Sequence, residues 1–155
     1  MTEPGDIIVI DGQGDLVNAL VGENLVLWAI KRGVAGIVVD GAIRDVDTLR
    51  KLDFPIYSAG ITPSGTYKHG AGEVNVPICC GRVVVNPGDI VVGDADGLVV
   101  VPAQEAAEIL EKAKGKLQQE LAIREAISSG NWQRPACTDE VVEKLGCEII
   151  DDVYK

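Results

Sequence analysis

Short runs of β-branched and other apolar residues recur along the chain, each fenced by glycine, proline or aspartate: Ile7–Ile10, Val34–Val39, Val83–Val85, Ile90–Val92 and Leu98–Val101. Runs of this length make buried strands and are far too short to span a bilayer. Between the first two, Leu16, Leu20, Leu27 and Ile30 recur at helical spacing. That predicts a helix over 16–32, with Gly33 as its left-handed cap. The alternation of strand-like and helix-like segments predicts an α/β fold.

The rest of the chain extends this pattern. Asp40-Gly41 is expected to break the second strand, and Asp45–Leu52 reads as a short helix with an acidic first turn. Phe54–Ile61 reads as a strand, Thr62–Gly72 as a loop rich in glycine and proline, and Val74–Cys80 and Arg82–Val85 as further strands. Strands outnumber helices here, so a barrel-like or sandwich core is expected in place of a doubly wound sheet. Ala103–Ser128 is a charged amphipathic helix by composition. The segment 131–155 follows as a tail or arm: a linker, a short helix over 139–145 capped by Thr138, and an extended end at 147–152. The expected domain is therefore 1–130.

One echo is internal. Pro4-Gly5-Asp6-Ile7-Ile8-Val9 is repeated as Pro87-Gly88-Asp89-Ile90-Val91-Val92. Pro-Gly ahead of a β-branched run is turn chemistry that launches a strand.

Charge narrows the function. With 14 Lys+Arg against 24 Asp+Glu the net charge is −10, which argues against binding nucleic acid or an anionic membrane surface. Nothing at 1–5 resembles a signal peptide, so a cytoplasmic protein is expected. The four cysteines, Cys79, Cys80, Cys137 and Cys147, contain no CxxC, and His69 is the only histidine, so no zinc site or disulfide framework is expected.

Three constellations could carry chemistry. Asp11-Gly12-Gln13-Gly14-Asp15 lacks the Lys and Ser/Thr of a phosphate loop and reads as a tight turn; so does Asp94-Ala95-Asp96-Gly97. The third is Gly22-Glu23-Asn24-Leu25 with Arg44-Asp45. Taken alone, Arg44 beside Asp45 at a helix start reads first as a surface ion pair and cap. The second reading is a planar donor for a carboxylate or enolate beside a carboxylate able to hold a hard divalent cation.

Several segments, in order, resemble the family of class II 4-hydroxy-4-methyl-2-oxoglutarate aldolases and regulator-of-ribonuclease-activity-A-like proteins. They are Pro4-Gly5-Asp6 through Asp11-Gly12, Gly22-Glu23-Asn24-Leu25, Arg32-Gly33-Val34 through Ala42-Ile43-Arg44-Asp45, Gly72-Glu73-Val74-Asn75-Val76-Pro77, and Pro87-Gly88-Asp89 through Val101-Pro102. The resemblance spans about residues 4–128. It implies a compact barrel-like or sandwich core flanked by helices, assembled as a trimer or a dimer of trimers with sites at subunit interfaces. It also implies catalytic roles for Glu23, Arg44 and Asp45: Asp45 anchors Mg²⁺ or Mn²⁺, Arg44 binds a small 2-keto acid, and Gly22, Glu23, Asn24 and Leu25 line the substrate carboxylate. The implied activity is metal-dependent cleavage of such acids to pyruvate, with decarboxylation of oxaloacetate. The alternative is a non-catalytic regulator that binds a ribonuclease or another protein.

Two departures stand out. Thr48 stands where some members carry a further acidic residue, which leaves additional support for the metal to Glu23 or Asp47. Members also usually carry a substantial segment ahead of the Pro-Gly-Asp strand, and this chain begins almost at that strand.

Overall fold

Ile7–Ile10 does open a strand, but the strand continues much further than its apolar run. The computed structural model describes residues 2–66, 70–132, 134, 138–148 and 150. In it β1 spans Ile7–Val21 and pairs in parallel with β2, Gly36–Ile43. The pairing is regular from Ile7 opposite Gly36 to Asp11 opposite Asp40; beyond that, residues 11–21 of β1 oppose only 40–43 of β2. The surplus chain is taken up in turns. Gln13 and Gly14 have φ of +55° and +69°, the Gln13 N–H donates to Asp11 Oδ1, and the Val17 and Asn18 N–H groups donate to Asp15 Oδ1. These local bonds satisfy the backbone where the ladder cannot.

The helix expected over 16–32 is thus corrected. Residues 16–21 are strand, and α1 is Glu23–Lys31. Ala19 and Val21 alternate into the core, pairing with Ala42 and Ile43, and this period of two outweighs the helical spacing of Leu16 and Leu20. Gly33 is left-handed at φ +80°, as the cap reading expected, and its N–H bonds the Ile30 carbonyl. The expected break at Asp40-Gly41 is also corrected: β2 runs through it to Ile43, because seven of its eight residues are buried and a central strand is held on both edges.

The second parallel unit follows directly. A single-turn helix, α2 (Val46–Leu49), leads to β3 (Ile56–Ile61), which pairs in parallel with β2 and gives the strand order β1-β2-β3. Val21, Val26, Ala29, Val34, Ile37, Val39, Ile43 and Leu49 form the buried cluster between sheet and helices. Two antiparallel hairpins complete the first unit: β4 (Ile78–Cys80) with β5 (Val83–Val85), and β6 (Ile90–Gly93) with β7 (Leu98–Val101). Only the last three residues of the expected strand 74–80 form one; Asn75 at φ +58° and Pro77 precede it. The architecture is mixed α/β, and among the described residues its strands form three separate sheets.

The Pro-Gly-Asp echo is a structural repeat. Gly5 and Gly88 have φ of +97° and +90°, and each following aspartate folds back by the same pair of bonds. Asp6 Oδ2 accepts from Glu3 N–H while Asp6 N–H donates to Glu3 O; Asp89 Oδ2 accepts from Asn86 N–H while Asp89 N–H donates to Asn86 O. In the Asp94–Gly97 turn, Asp94 Oδ1 accepts from Asp96 and Gly97 N–H, and the Tyr57 hydroxyl donates to the Asp94 carbonyl at 2.8 Å.

The chain divides into two compact units, Met1–Ala106 and Ala107–Lys155. A 3₁₀ turn at Ala103–Glu105 leads into α3 (Ala106–Ser128), and α4 (Asp139–Lys144) lies in the second unit. Thr138 is the N-cap residue of α4, but its side chain makes no capping bond. Cys147, Glu148 and Ile150 are not in a strand; His69, Cys137 and 151–155 lie outside the described residues. No described helix is long and apolar enough to cross a membrane.

Candidate active site

Parallel pairing puts the carboxyl ends of β1 and β2 side by side, the usual place for a ligand site in an open α/β sheet. Val21 is the register partner of Ile43, and the Arg44 N–H donates to Val21 O at 3.0 Å. The residues that follow the two strands, Gly22-Glu23 and Arg44-Asp45, are therefore neighbours although α1 and β2 separate them in sequence.

Asp45 is the hinge of this corner. Its backbone is left-handed, φ +63° and ψ +31°, a conformation aspartate tolerates better than most residues, and its carbonyl accepts from the Thr48 and Leu49 N–H groups. Its Oδ2 accepts from the Glu23 N–H at 3.0 Å and lies 3.5 Å from Arg44 Nε. The carboxylate of one element thus caps the helix of another, where the first-turn amides carry partial positive charge. Arg44 and Asp45 are each a little under half exposed, at 45% and 42%. At that exposure the ion pair itself adds little stability.

Of the other expected contacts, the Leu25 N–H is committed to the Gly22 carbonyl and the Glu23 N–H to Asp45. The Asn24 N–H has no protein acceptor among the described residues, and the Glu23 carboxylate forms no hydrogen bond or ion pair there. The loop after β3 is a member of the corner that the sequence reading did not place. Thr62 N–H bonds Ile43 O, Thr62 Oγ1 bonds Val17 O, and Ser64 O accepts from Ala19 N–H, which brings Gly65 against Arg44 Nη1. Its signal was compositional only: Pro63 and Gly65 in a presumed loop.

A hard divalent cation needs oxygen donors. Among the described residues no three His, Cys, Asp or Glu side chains gather, and neither Glu23 nor Asp47 joins Asp45 in such a cluster. Asp45 Oδ1, however, receives no hydrogen bond among them. One free carboxylate oxygen in a half-exposed corner fits Mg²⁺ or Mn²⁺, which keep several waters and take remaining ligands from substrate.

A second polar cluster sits at the regular end of the sheet. Asp11 and Asp40 are register partners, and Asp40 Oδ2 accepts from the Gly81 N–H at 3.1 Å. Burial, then the charges of Asp40 and Asp11, push the Cys80 thiol above its ordinary range.

Fold and corner together define a mixed α/β protein with a carboxylate–guanidinium pair at the carboxyl ends of parallel strands. The RraA-like family, described as Aldolase/RraA, matches residues 1–100, and the chain belongs to that family. It is 47% identical over 125 residues, covering 81% of this chain and 60% of the relative, to a Halalkalibacterium halodurans protein named "Putative 4-hydroxy-4-methyl-2-oxoglutarate aldolase". Among solved structures, an uncharacterized Pseudomonas syringae protein superposes with a TM-score of 0.78 at 35% identity, over 83% of this chain and 65% of that one. A Streptomyces coelicolor protein described as an unusual member of the RNase ES inhibitor RraA family superposes with a TM-score of 0.74 at 39% identity, over 79% and 63%. The chain spans about 60% of the length of the curated relatives it matches.

Proposed function

We propose that the protein is a divalent-metal-dependent lyase that cleaves 4-hydroxy-4-methyl-2-oxoglutarate-type 2-keto acids to pyruvate and decarboxylates oxaloacetate. The observation that carries this reading is the meeting of Arg44, Asp45 and the Gly22-Glu23 turn at one strand end, supported by the names of the relatives. Asp45 holds the cation. Once bound, Mg²⁺ or Mn²⁺ supplies Lewis-acid stabilisation of the charge that develops on the keto acid.

The chain's own residues do the rest. Arg44 presents a planar, permanently charged donor set to the keto acid, and it stabilises the enolate left when the carbon–carbon bond breaks. Its Nε faces Asp45 Oδ2 at 3.5 Å, which leaves the terminal nitrogens open to the keto acid. The Asn24 N–H is free to meet the substrate carboxylate at the start of α1, where the helix favours an anion. Glu23 moves the proton: its unpaired carboxylate takes it from the hydroxyl in cleavage, and its acid form returns one to the enolate carbon.

The test is pyruvate release from both substrates with Mg²⁺ or Mn²⁺, with EDTA, and with Asp45→Ala. Turnover that needs the metal and disappears in the variant is expected. No turnover above the metal-catalysed background, from folded protein, overturns the reading. A second reading, a regulator of a ribonuclease-type partner, draws on the description of the Streptomyces relative and on the net charge of −10, which suits a basic surface. It predicts a salt-sensitive complex without metal dependence.

A further inference from the structure

Gly22 follows β1 and stands at the N-cap of α1 with φ −139° and ψ −179°. That is extended backbone open to any residue, so conformation does not call for glycine. Space does. A Cβ on Gly22 would lie 2.7 Å from Asp45 Oδ2, 3.0 Å from Arg44 Nε and 3.1 Å from Arg44 Cγ. The first of these atoms belongs to a short side chain on a left-handed backbone, and it is held on the Glu23 N–H at 3.0 Å. A carboxylate oxygen that retreats from a Cβ at 2.7 Å stretches or bends that bond.

We propose that Gly22 is a positioning residue for the Arg44–Asp45 pair: the volume left by its absent side chain seats the Asp45 carboxylate, with Oδ2 on the Glu23 N–H and Oδ1 open to a ligand. The inference rests on the lyase reading only where Mn²⁺ binding and turnover are measured; the amide and Tm readouts stand without it. A methyl group at position 22 displaces the carboxylate and, with it, the guanidinium nitrogen that faces the same oxygen. Glycine is also a favourable N-cap, which is the competing explanation. The two accounts part at Gly22→Ser. Serine caps a helix better than glycine, yet it carries the Cβ that the seat excludes.

The experiment compares wild type, Gly22→Ala, Gly22→Ser, Asp45→Ala and the double variant Gly22→Ala/Asp45→Ala. In metal-free protein, the Glu23 amide proton is followed by NMR shift and hydrogen exchange. Mn²⁺ binding is read by electron paramagnetic resonance, Tm by thermal melting, and turnover as kcat/KM for pyruvate release. In both Gly22 single variants the Glu23 amide is expected to move upfield and exchange at least tenfold faster, Mn²⁺ affinity to fall at least tenfold, and Gly22→Ser to keep its Tm. On the Asp45→Ala background, Gly22→Ala keeps only the N-cap cost and its contacts with Arg44, so it lowers Tm less than in the wild-type background and leaves amide exchange unchanged within twofold. Mn²⁺ affinity and amide protection retained within twofold in Gly22→Ser overturn the proposal. So does an equal Tm loss from Gly22→Ala with and without Asp45. A wild-type Glu23 amide that matches its counterpart in Asp45→Ala overturns it before any Gly22 variant is needed. Wild type that makes no pyruvate while the amide results stand removes the lyase reading and leaves the seat in place.

Discussion

Arg44 owes its position to three neighbours: the Val21 carbonyl on its N–H, Asp45 on its Nε, and Gly65 beside its Nη1. On the proposed lyase reading, its removal leaves the charge that develops on the keto acid without a donor. Arg44→Ala is expected to lower kcat/KM for pyruvate release by about a hundredfold, or roughly 3 kcal/mol, with little change in Tm because the side chain is nearly half exposed. Cys80 offers a check on the other polar cluster. Burial first, and then Asp40 and Asp11, raise its pKa, so less thiolate is present at a given pH and alkylation is slow. Cys80 labelling by iodoacetamide should climb with pH beyond the ordinary thiol range, and Asp40→Asn should quicken it at pH 8. A variant that labels no faster than wild type counts against the carboxylate's share. Residue types picked out Gly22-Glu23 and Arg44-Asp45 as a constellation, with an ion pair and cap as the first reading, and the structure brings the two segments together; the roles in chemistry came from the family resemblance. Gly65 was not legible, because its approach depends on where Thr62 and Ser64 tie the loop, and no local pattern encodes that path.

At the scale of elements, the straight strands and α3 followed from apolar runs and composition, and the largest error fell on β1, with smaller ones at Asp40-Gly41 and in 74–80. Helical spacing at Leu16 and Leu20 competed with period-two burial at Ala19 and Val21, and the pairing with Ala42 and Ile43 decided the contest. A long-range partner of this kind is invisible to a window of sequence. Gly12 belongs to the same irregular stretch: a Cβ there would meet Leu20 Cδ1 and lie 2.5 Å from the Asp40 backbone carbonyl, which has no rotamer by which to yield. Gly12→Ala is therefore expected to destabilise the fold by about 1–3 kcal/mol in urea titration. Ile37, at 1% exposure in the centre of β2, sets the comparison: Ile37→Ala should lose about 2–5 kcal/mol through a cavity in the main cluster. If Gly12→Ala is neutral, the turn there gives way without strain and the close approach of β1 to β2 is not needed.

For the whole molecule, the half-open corner and the surface around it point the same way. Arg44 and Asp45 are 45% and 42% exposed, too open to exclude water from a developing enolate. In the first unit, Leu16, Val17, Trp28 and Ile61 are each more than half exposed. Where such side chains lie together they form the kind of surface a partner covers. The family resemblance implies a trimer with sites at subunit interfaces, and a neighbouring copy would both cover apolar surface and close the corner. Sedimentation should then give a mass near three times the 16.4 kDa chain. Specific activity should fall on dilution over the same concentration range in which the trimer dissociates, because each corner loses its cover when its neighbour leaves. Activity per chain that stays constant through dissociation would show that one chain's Gly22, Glu23, Arg44 and Asp45 suffice, and the exposed apolar surface would then need an occupant unconnected with catalysis.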